Sequence, residues 1–164
     1  MKNILLLVFA FTLLTSCEKE KTTTYYLIRH AEKDRTDKTN RNPNLNDKGL
    51  ERAKKWAEYF KDIKLDAVYS TKYNRTQQTA TPTAESKKLE ILSYNPSKMY
   101  DSIFQVNTNG KTVLVVGHSN TTPVFVNKII GKKKYQNMDD NDNFSLYIVT
   151  VNGDTKTSKI EKVN

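Results

Sequence analysis

The chain has 164 residues, with 27 Lys and Arg against 18 Asp and Glu and a formal net charge of +9 at pH 7. Hydrophobic residues make up 37% and fall in short clusters between polar turns, which fits one compact globular domain better than a disordered or membrane-embedded chain. Cys17 is the sole cysteine, so a domain that begins beyond it can contain neither disulfides nor cysteine-based metal sites.

The N-terminus stands apart. Lys2 is followed by an apolar run over Ile4 to Phe11, too short to cross a bilayer comfortably as a permanent helix, and residues 1–16 are expected to be a signal peptide. Leu14-Thr15-Ser16-Cys17 resembles the lipobox of bacterial lipoproteins. The resemblance implies a diacylated Cys17 as the first mature residue, and an exported protein anchored to membrane at the periplasmic face or outer membrane. Each buried CH2 of an acyl chain contributes about 0.8 kcal/mol, so several chains hold a domain at the surface. Loss of residues 1–16 removes Lys2 and no acidic residue, taking the charge from +9 to +8. A basic domain attracts anionic partners by long-range steering. Phosphorylated substrates fit this charge, whereas no nucleic-acid-binding motif is present and no nucleic-acid partner is expected. Residues 17–24, charged and threonine-rich, read as a lipidated tether, leaving 25–164 as the domain.

Tyr25 to Ile28 predicts a buried strand that delivers Arg29 and His30 at its C-terminal end, where open α/β sheets bind ligands. A polar loop over 32–45 follows. Asn46 or Asp47 can cap a helix whose apolar residues Leu50, Ala53, Trp56, Ala57, Phe60 and Ile63 recur at helical spacing, with Trp56 in the core. A second strand is expected over Leu65–Ser70, then a helix over Tyr73–Lys87 interrupted near Pro82, a short strand over Leu89–Leu92, and a weaker helical pattern over Ser97–Asn107. Thr112 to Val116 is the most strand-like run and ends in Gly117-His118. Pro123 suits the first turn of a helix carrying Val124, Val126, Ile129 and Ile130, stopped by Gly131. Phe144–Val151 and Thr155–Val163 flank Asn152-Gly153-Asp154, a hairpin signal. Strands alternating with helices before a terminal hairpin predict a three-layer α/β/α sandwich with a mixed, mostly parallel central sheet.

The chemistry sits at strand ends. A nucleophilic imidazole must be neutral, accessible and close to cations that bind phosphoryl oxygens. Arg29-His30 supplies an imidazole beside a guanidinium, the group best shaped for two phosphate oxygens. Arg75 lies just beyond the second strand and His118 just beyond the fourth, and His30 and His118 are the only histidines. Each alone has a bland reading as a surface or core residue; three strand ends converging on one site do not.

Three segments, in this order and spacing, resemble the histidine phosphatase superfamily, also called the phosphoglycerate mutase-like family. They are Leu27-Ile28-Arg29-His30-Ala31-Glu32-Lys33, Ser70-Thr71-Lys72-Tyr73-Asn74-Arg75-Thr76-Gln77-Gln78-Thr79-Ala80, and Val115-Val116-Gly117-His118-Ser119-Asn120. A fourth, Leu45 to Ala53, is similar to the start of the family's first helix. The resemblance implies two-step phosphoryl transfer through a phosphohistidine on His30. Arg29, Arg75 and His118 would cradle the phosphoryl oxygens with Ser119 and Asn120 beside them, and neither metal nor other cofactor is required. It implies a metal-independent hydrolase of the histidine acid phosphatase type, acting on a phosphorylated small molecule or phosphoprotein. Ala31 replaces the family's usual glycine. Asp101 is the best-spaced candidate for the general acid, with Glu85 and Glu90 closer in sequence. The short connection from Arg75 to Thr112 leaves no room for the large lid of the sugar-phosphate mutases, and so an open site resembling compact bacterial phosphohistidine phosphatases is expected. The competing reading is a catalytically silent phosphate-binding or interaction module of the same fold. Asp139 to Asn143 lacks the glycine and closing glutamate of a calcium loop and reads as a polar turn, and Lys132-Lys133-Lys134 reads as a solvated helix end.

Overall fold

Along the first strand, β1 (Thr23–Arg29), Leu27 packs on one face of the sheet and Ile28 on the other, and both are fully buried. A strand covered on both sides shows this two-residue alternation without exposing either set. The structure is a computed structural model describing residues 21–163, so the expected signal peptide, Cys17 and the start of the tether lie outside the described residues. The remaining elements are α1 (Asp47–Tyr59), β2 (Ala67–Ser70), α2 (Asn74–Lys87), β3 (Ile91–Ser93), a 3-10 turn (Pro96–Lys98), α3 (Ser102–Thr108), β4 (Thr112–Gly117), α4 (Thr121–Ile130), β5 (Ser145–Asn152) and β6 (Thr155–Lys162).

The six strands form one sheet in the order β3-β2-β4-β1-β5-β6. β1 pairs in parallel with β4, which pairs in parallel with β2 and β2 with β3; β5 is antiparallel to both β1 and β6. On one face α1 and α2 bury Trp56, Phe60, Ala80 and Ala84 against Ile28, Val68, Leu114 and Val116. On the other, α3 and α4 bury Phe104, Phe125, Val126 and Ile129 against Tyr25, Leu27, Val113 and Val115. The domain is therefore a three-layer α/β/α sandwich around a mixed sheet. Asn46 caps α1, its side chain accepting from the Gly49 amide at 2.9 Å. Gly49 has no alternative, because a Cβ there would stand 2.1 Å from the Glu32 carbonyl oxygen. That close approach docks the loop after β1 against α1.

Several boundaries differ from the sequence pattern. β1 starts at Thr23, inside the expected tether, because Thr24 donates to the Lys111 carbonyl and the Thr23 hydroxyl accepts from Gly110, extending the β4 pairing. α2 continues through Pro82. The proline removes one helical hydrogen bond, but Ala80, Thr83 and Ala84 on either side are buried, so packing keeps the helix whole. The helix expected over Ser97–Asn107 is instead a 3-10 turn and the short α3, separated by Tyr100 at φ 58°. Leu50 and Val124, expected on apolar helix faces, are exposed.

Candidate active site

Parallel β1, β2 and β4 all end at the same edge of the sheet, and the residues that follow them meet there. His30 comes directly after β1, its amide donating to the Gly117 carbonyl at 2.9 Å as the β1–β4 ladder runs one residue further. The His30 carbonyl accepts from Asn143 Nδ2 at 2.8 Å, and the next amide, Ala31, donates to Thr79 Oγ1 at 2.9 Å. His30 Nδ1 is 2.7 Å from the Ala31 carbonyl oxygen. A carbonyl can only accept, so Nδ1 carries the proton and Nε2 keeps its lone pair. Burial pushes the His30 pKa down from 6.5 to about 3; the bond to Ala31 opposes this, and the nearby charges of Arg29, His118 and Arg75 add to it.

A chain of hydroxyls fixes the tautomer of His118 in the same way. Thr76 Oγ1 donates to the backbone carbonyls of Tyr73 and Thr71, and must therefore accept from Thr71 Oγ1 at 2.9 Å. Thr71 in turn accepts from His118 Nε2 at 3.0 Å, which leaves His118 Nδ1 unprotonated and 3.5 Å from an amino group of Arg75. Burial first, then Arg75, Arg29 and Lys33, lower the His118 pKa to about 4. The two imidazoles stand edge to face with centroids 5.5 Å apart.

The guanidiniums are held differently. Arg29 is 2% exposed, and its NH1 donates to the carbonyls of Asp139 at 2.9 Å and Asp140 at 2.8 Å while NH2 pairs with Asp140 Oδ1 at 2.7 Å. Arg75 stacks on the Tyr73 ring with its central carbon 4.4 Å from the centroid, and its bonds to protein are long, 3.4 Å to the Arg41 carbonyl and 3.5 Å to His118. Both Nε groups are buried without a partner among the described residues. Buried donors in a native site are nearly always satisfied; two orphaned guanidinium N–H groups beside two neutral imidazoles fit an anion with several acceptor oxygens.

Arg29, His30, Arg75, His118, Ser119 and Asn120 all line one cavity of about 360 Å³, together with Lys33 and Asp140. Every residue expected to bind the phosphoryl group is thus at one site. Asp101 is not among the cavity's walls. It is the N-cap of α3, where its carboxylate accepts the Phe104 amide at 2.8 Å, and Glu85 and Glu90 are exposed elsewhere. The carboxylate in the wall is Asp140: partial burial opposes its ionisation, but hydrogen bonds from Arg29 and Arg35 outweigh this and hold its pKa low. Two cavities adjoin the site. One, about 540 Å³ and of mixed charge, shares Lys33 and Asp140 with it, and the other, about 480 Å³ and more aromatic, shares Tyr73 and Pro96. A larger cavity of about 750 Å³ lies elsewhere, by Lys128, Lys132 and Tyr135, and contains neither histidine.

The family model of the histidine phosphatase superfamily, branch 1, matches residues 25–95, a stretch that takes in Arg29, His30 and Arg75 and stops before His118. Over that stretch the chain is similar to that superfamily. No curated protein matches it. Solved structures share its fold at low identity. The protein histidine phosphatase SixA complexed with tungstate is 13% identical with a TM-score of 0.66, over 85% of this chain and 96% of that one. A mutant phosphoserine phosphatase from Entamoeba histolytica in complex with phosphoserine is 12% identical with a TM-score of 0.66, over 87% and 97%. Phosphoglycerate mutase from Bacillus anthracis is 15% identical with a TM-score of 0.63, over 88% and 94%. Within this fold, the residues that sequence reasoning overlooked are those that hold the cradle: Thr71 and Thr76 behind His118, Tyr73 under Arg75, and the loop of residues 139–143 around Arg29 and His30.

Proposed function

We propose that the protein is a phosphatase that works through a phosphohistidine on His30, and that its substrates carry leaving groups able to depart without a strong acid. The observation that carries this is the cavity in which a neutral His30, with Nδ1 committed to Ala31, faces two guanidiniums with unpartnered Nε groups. In the first step the Nε2 lone pair forms a bond to phosphorus while the bond to the leaving atom breaks and takes its electron pair. Arg29 and Arg75 stabilise the charge on the equatorial oxygens. His118, unprotonated at Nδ1 in the free site, takes up a proton as the dianion enters and donates to a phosphoryl oxygen. In the second step water attacks phosphorus and the nitrogen–phosphorus bond returns its electrons to Nε2, releasing phosphate.

Asp140 is held ionised between two arginines and is a poor proton donor, and Asp101 is committed to its cap. This favours phosphoramidates such as a phosphohistidine, acyl phosphates and aryl phosphates over alkyl esters. The open cavities on both sides support a phosphoryl group borne on a protein rather than one enclosed by a lid. The test is hydrolysis of para-nitrophenyl phosphate, acetyl phosphate and glycerol phosphate by the wild type and His30→Ala. Turnover of the first two, slow turnover of the third and loss of all in His30→Ala is expected. Phosphate binding without any turnover favours the silent module instead, a reading supported by the missing acid.

The lipoprotein reading joins this one through geometry. β1 begins at Thr23 and reaches His30 at its other end, so a chain anchored through Cys17 enters the sheet at the edge opposite the cavity. An exported, lipidated protein would then present the site away from its membrane. Acyl labelling that is lost in Cys17→Ser checks this, and labelling retained in that variant refutes it.

A further inference from the structure

The run Asp139-Asp140-Asn141-Asp142-Asn143 has the composition of a calcium loop or a plain turn, yet its groups are spent on the protein itself. The Asp139 carboxylate accepts the Asn141 amide at 2.8 Å and braces the loop internally, and that of Asp142 accepts from Ser145 and from Lys162, fastening the loop to the start of β5 and the end of β6. Asn143 is buried and donates to the His30 carbonyl. Asp140 alone reaches the cavity, with Oδ1 on Arg29 and Oδ2 on Arg35, each at 2.7 Å.

A carboxylate beside an anion cradle is costly unless it serves geometry. Arg29 has five N–H donors. NH1 spends two on the carbonyls of Asp139 and Asp140, and NH2 spends one on the Asp140 carboxylate. Five less three leaves two, the Nε–H and one hydrogen of NH2, which is the number a bidentate contact to phosphoryl oxygens uses. Arg35 on the second oxygen compensates the carboxylate's charge, so the trio of Arg29, Asp140 and Arg35 remains net positive. The loop also carries the His30 bond, so one segment registers the nucleophile and its neighbouring cation together.

We propose that Asp140 is a positioning residue that acts through Arg29, holding the guanidinium so that its two remaining donors face the phosphoryl group. The proposal rests on reading the cavity as a phosphoryl site. It makes a prediction opposite in sign to simple electrostatics, under which removing a negative charge next to an anion site tightens anion binding.

The experiment measures inorganic phosphate affinity and para-nitrophenyl phosphate kinetics for the full chain and its Asp140→Ala, Asp140→Asn and Arg29→Gln variants. Asp140 is 63% exposed at its side chain, so its variants fold; Arg29 is 2% exposed, and melting curves verify the fold of every variant before its kinetics are read. Asp140→Ala should raise the phosphate Kd about ten-fold and lower kcat about ten- to hundred-fold, because a mobile Arg29 stabilises the transition state less. Asp140→Asn should move both in the same direction by less, since its side-chain oxygen still accepts. In an Arg29→Gln background, Asp140→Ala should bring no further loss. Tighter phosphate binding by Asp140→Ala, or a loss that persists without Arg29, overturns the positioning role while leaving the phosphoryl site intact. A wild-type protein that binds no phosphate overturns both.

Discussion

The two halves of the cradle are built to different tolerances. Arg29 and His30, at the end of β1, are almost wholly buried and fixed by bonds of 2.7 to 2.9 Å to the 139–143 loop, Ala31 and Gly117. Arg75 and His118, after β2 and β4, are partly exposed; Arg75 relies on the face of Tyr73 and on contacts of 3.4 Å or more. Preorganised dipoles and charges stabilise a transition state without reorganising at the moment of reaction. The difference suggests a division of labour in which the β1 half defines the reacting geometry and the other half adjusts to the substrate.

The largest effect expected is for His30→Ala, which removes the proposed nucleophile and should lower kcat by at least about 10⁴-fold, checked by single-turnover phosphate release. Next come paired Arg-to-Lys changes. An ammonium group has three donors, too few to satisfy the three acceptors around Arg29 and still offer two to a phosphoryl group, so Arg29→Lys should cost about 100-fold or more in kcat/KM, whereas Arg75→Lys should cost about ten-fold. Equal losses would erase the distinction between the halves. Thr71→Val breaks the hydroxyl chain that holds the His118 tautomer and should cost about five-fold, seen in kcat more than in KM.

The smallest effect concerns pH. In the folded protein His30 and His118 bind protons only near pH 3 and pH 4, against an ordinary value of 6.5. Between those limits the unfolded chain binds more protons than the native one, so this contribution to stability is full above about pH 6.5 and is lost as pH falls toward 4 and 3. Thermal melting as a function of pH should therefore show a steeper acid decline in the wild type than in His118→Gln. Because His118 gains a proton as the dianion binds, the same low values predict that the alkaline limb of kcat/KM follows the second ionisation of the free substrate, near pH 6 for a phosphoester, rather than an enzyme histidine. A limb that stays put when the substrate's own pKa is changed would show that an imidazole titrates instead.

What the sequence disclosed followed its periodicities. The unbroken apolar runs through Leu27-Ile28 and Val113 to Val116 located the central strands, and with them the positions of Arg29, His30 and His118. Asn46 before an amphipathic run marked the start of α1. Asp140 and Asn143 were illegible because they act on residues more than 100 positions earlier, and nothing local separates such a clamp from a polar turn. Asp101 carried a readable signal of another kind: an aspartate just before Ser102-Ile103-Phe104 is a good helix N-cap, and that local role claimed its carboxylate. The continuous α2 was misjudged because Pro82 is a local breaker, while the burial of Ala80 and Ala84 that overrides it is a tertiary effect.

The bond from His30 Nδ1 to the Ala31 carbonyl has a chemical consequence. Because one ring nitrogen is locked as a donor to the chain's own backbone, the proposed covalent intermediate would form as only one of the two phosphohistidine regioisomers, the one substituted at Nε2. That isomer is distinguishable by antibodies selective between the two forms, so a trapped phosphoenzyme carries a record of which face of the imidazole met the substrate.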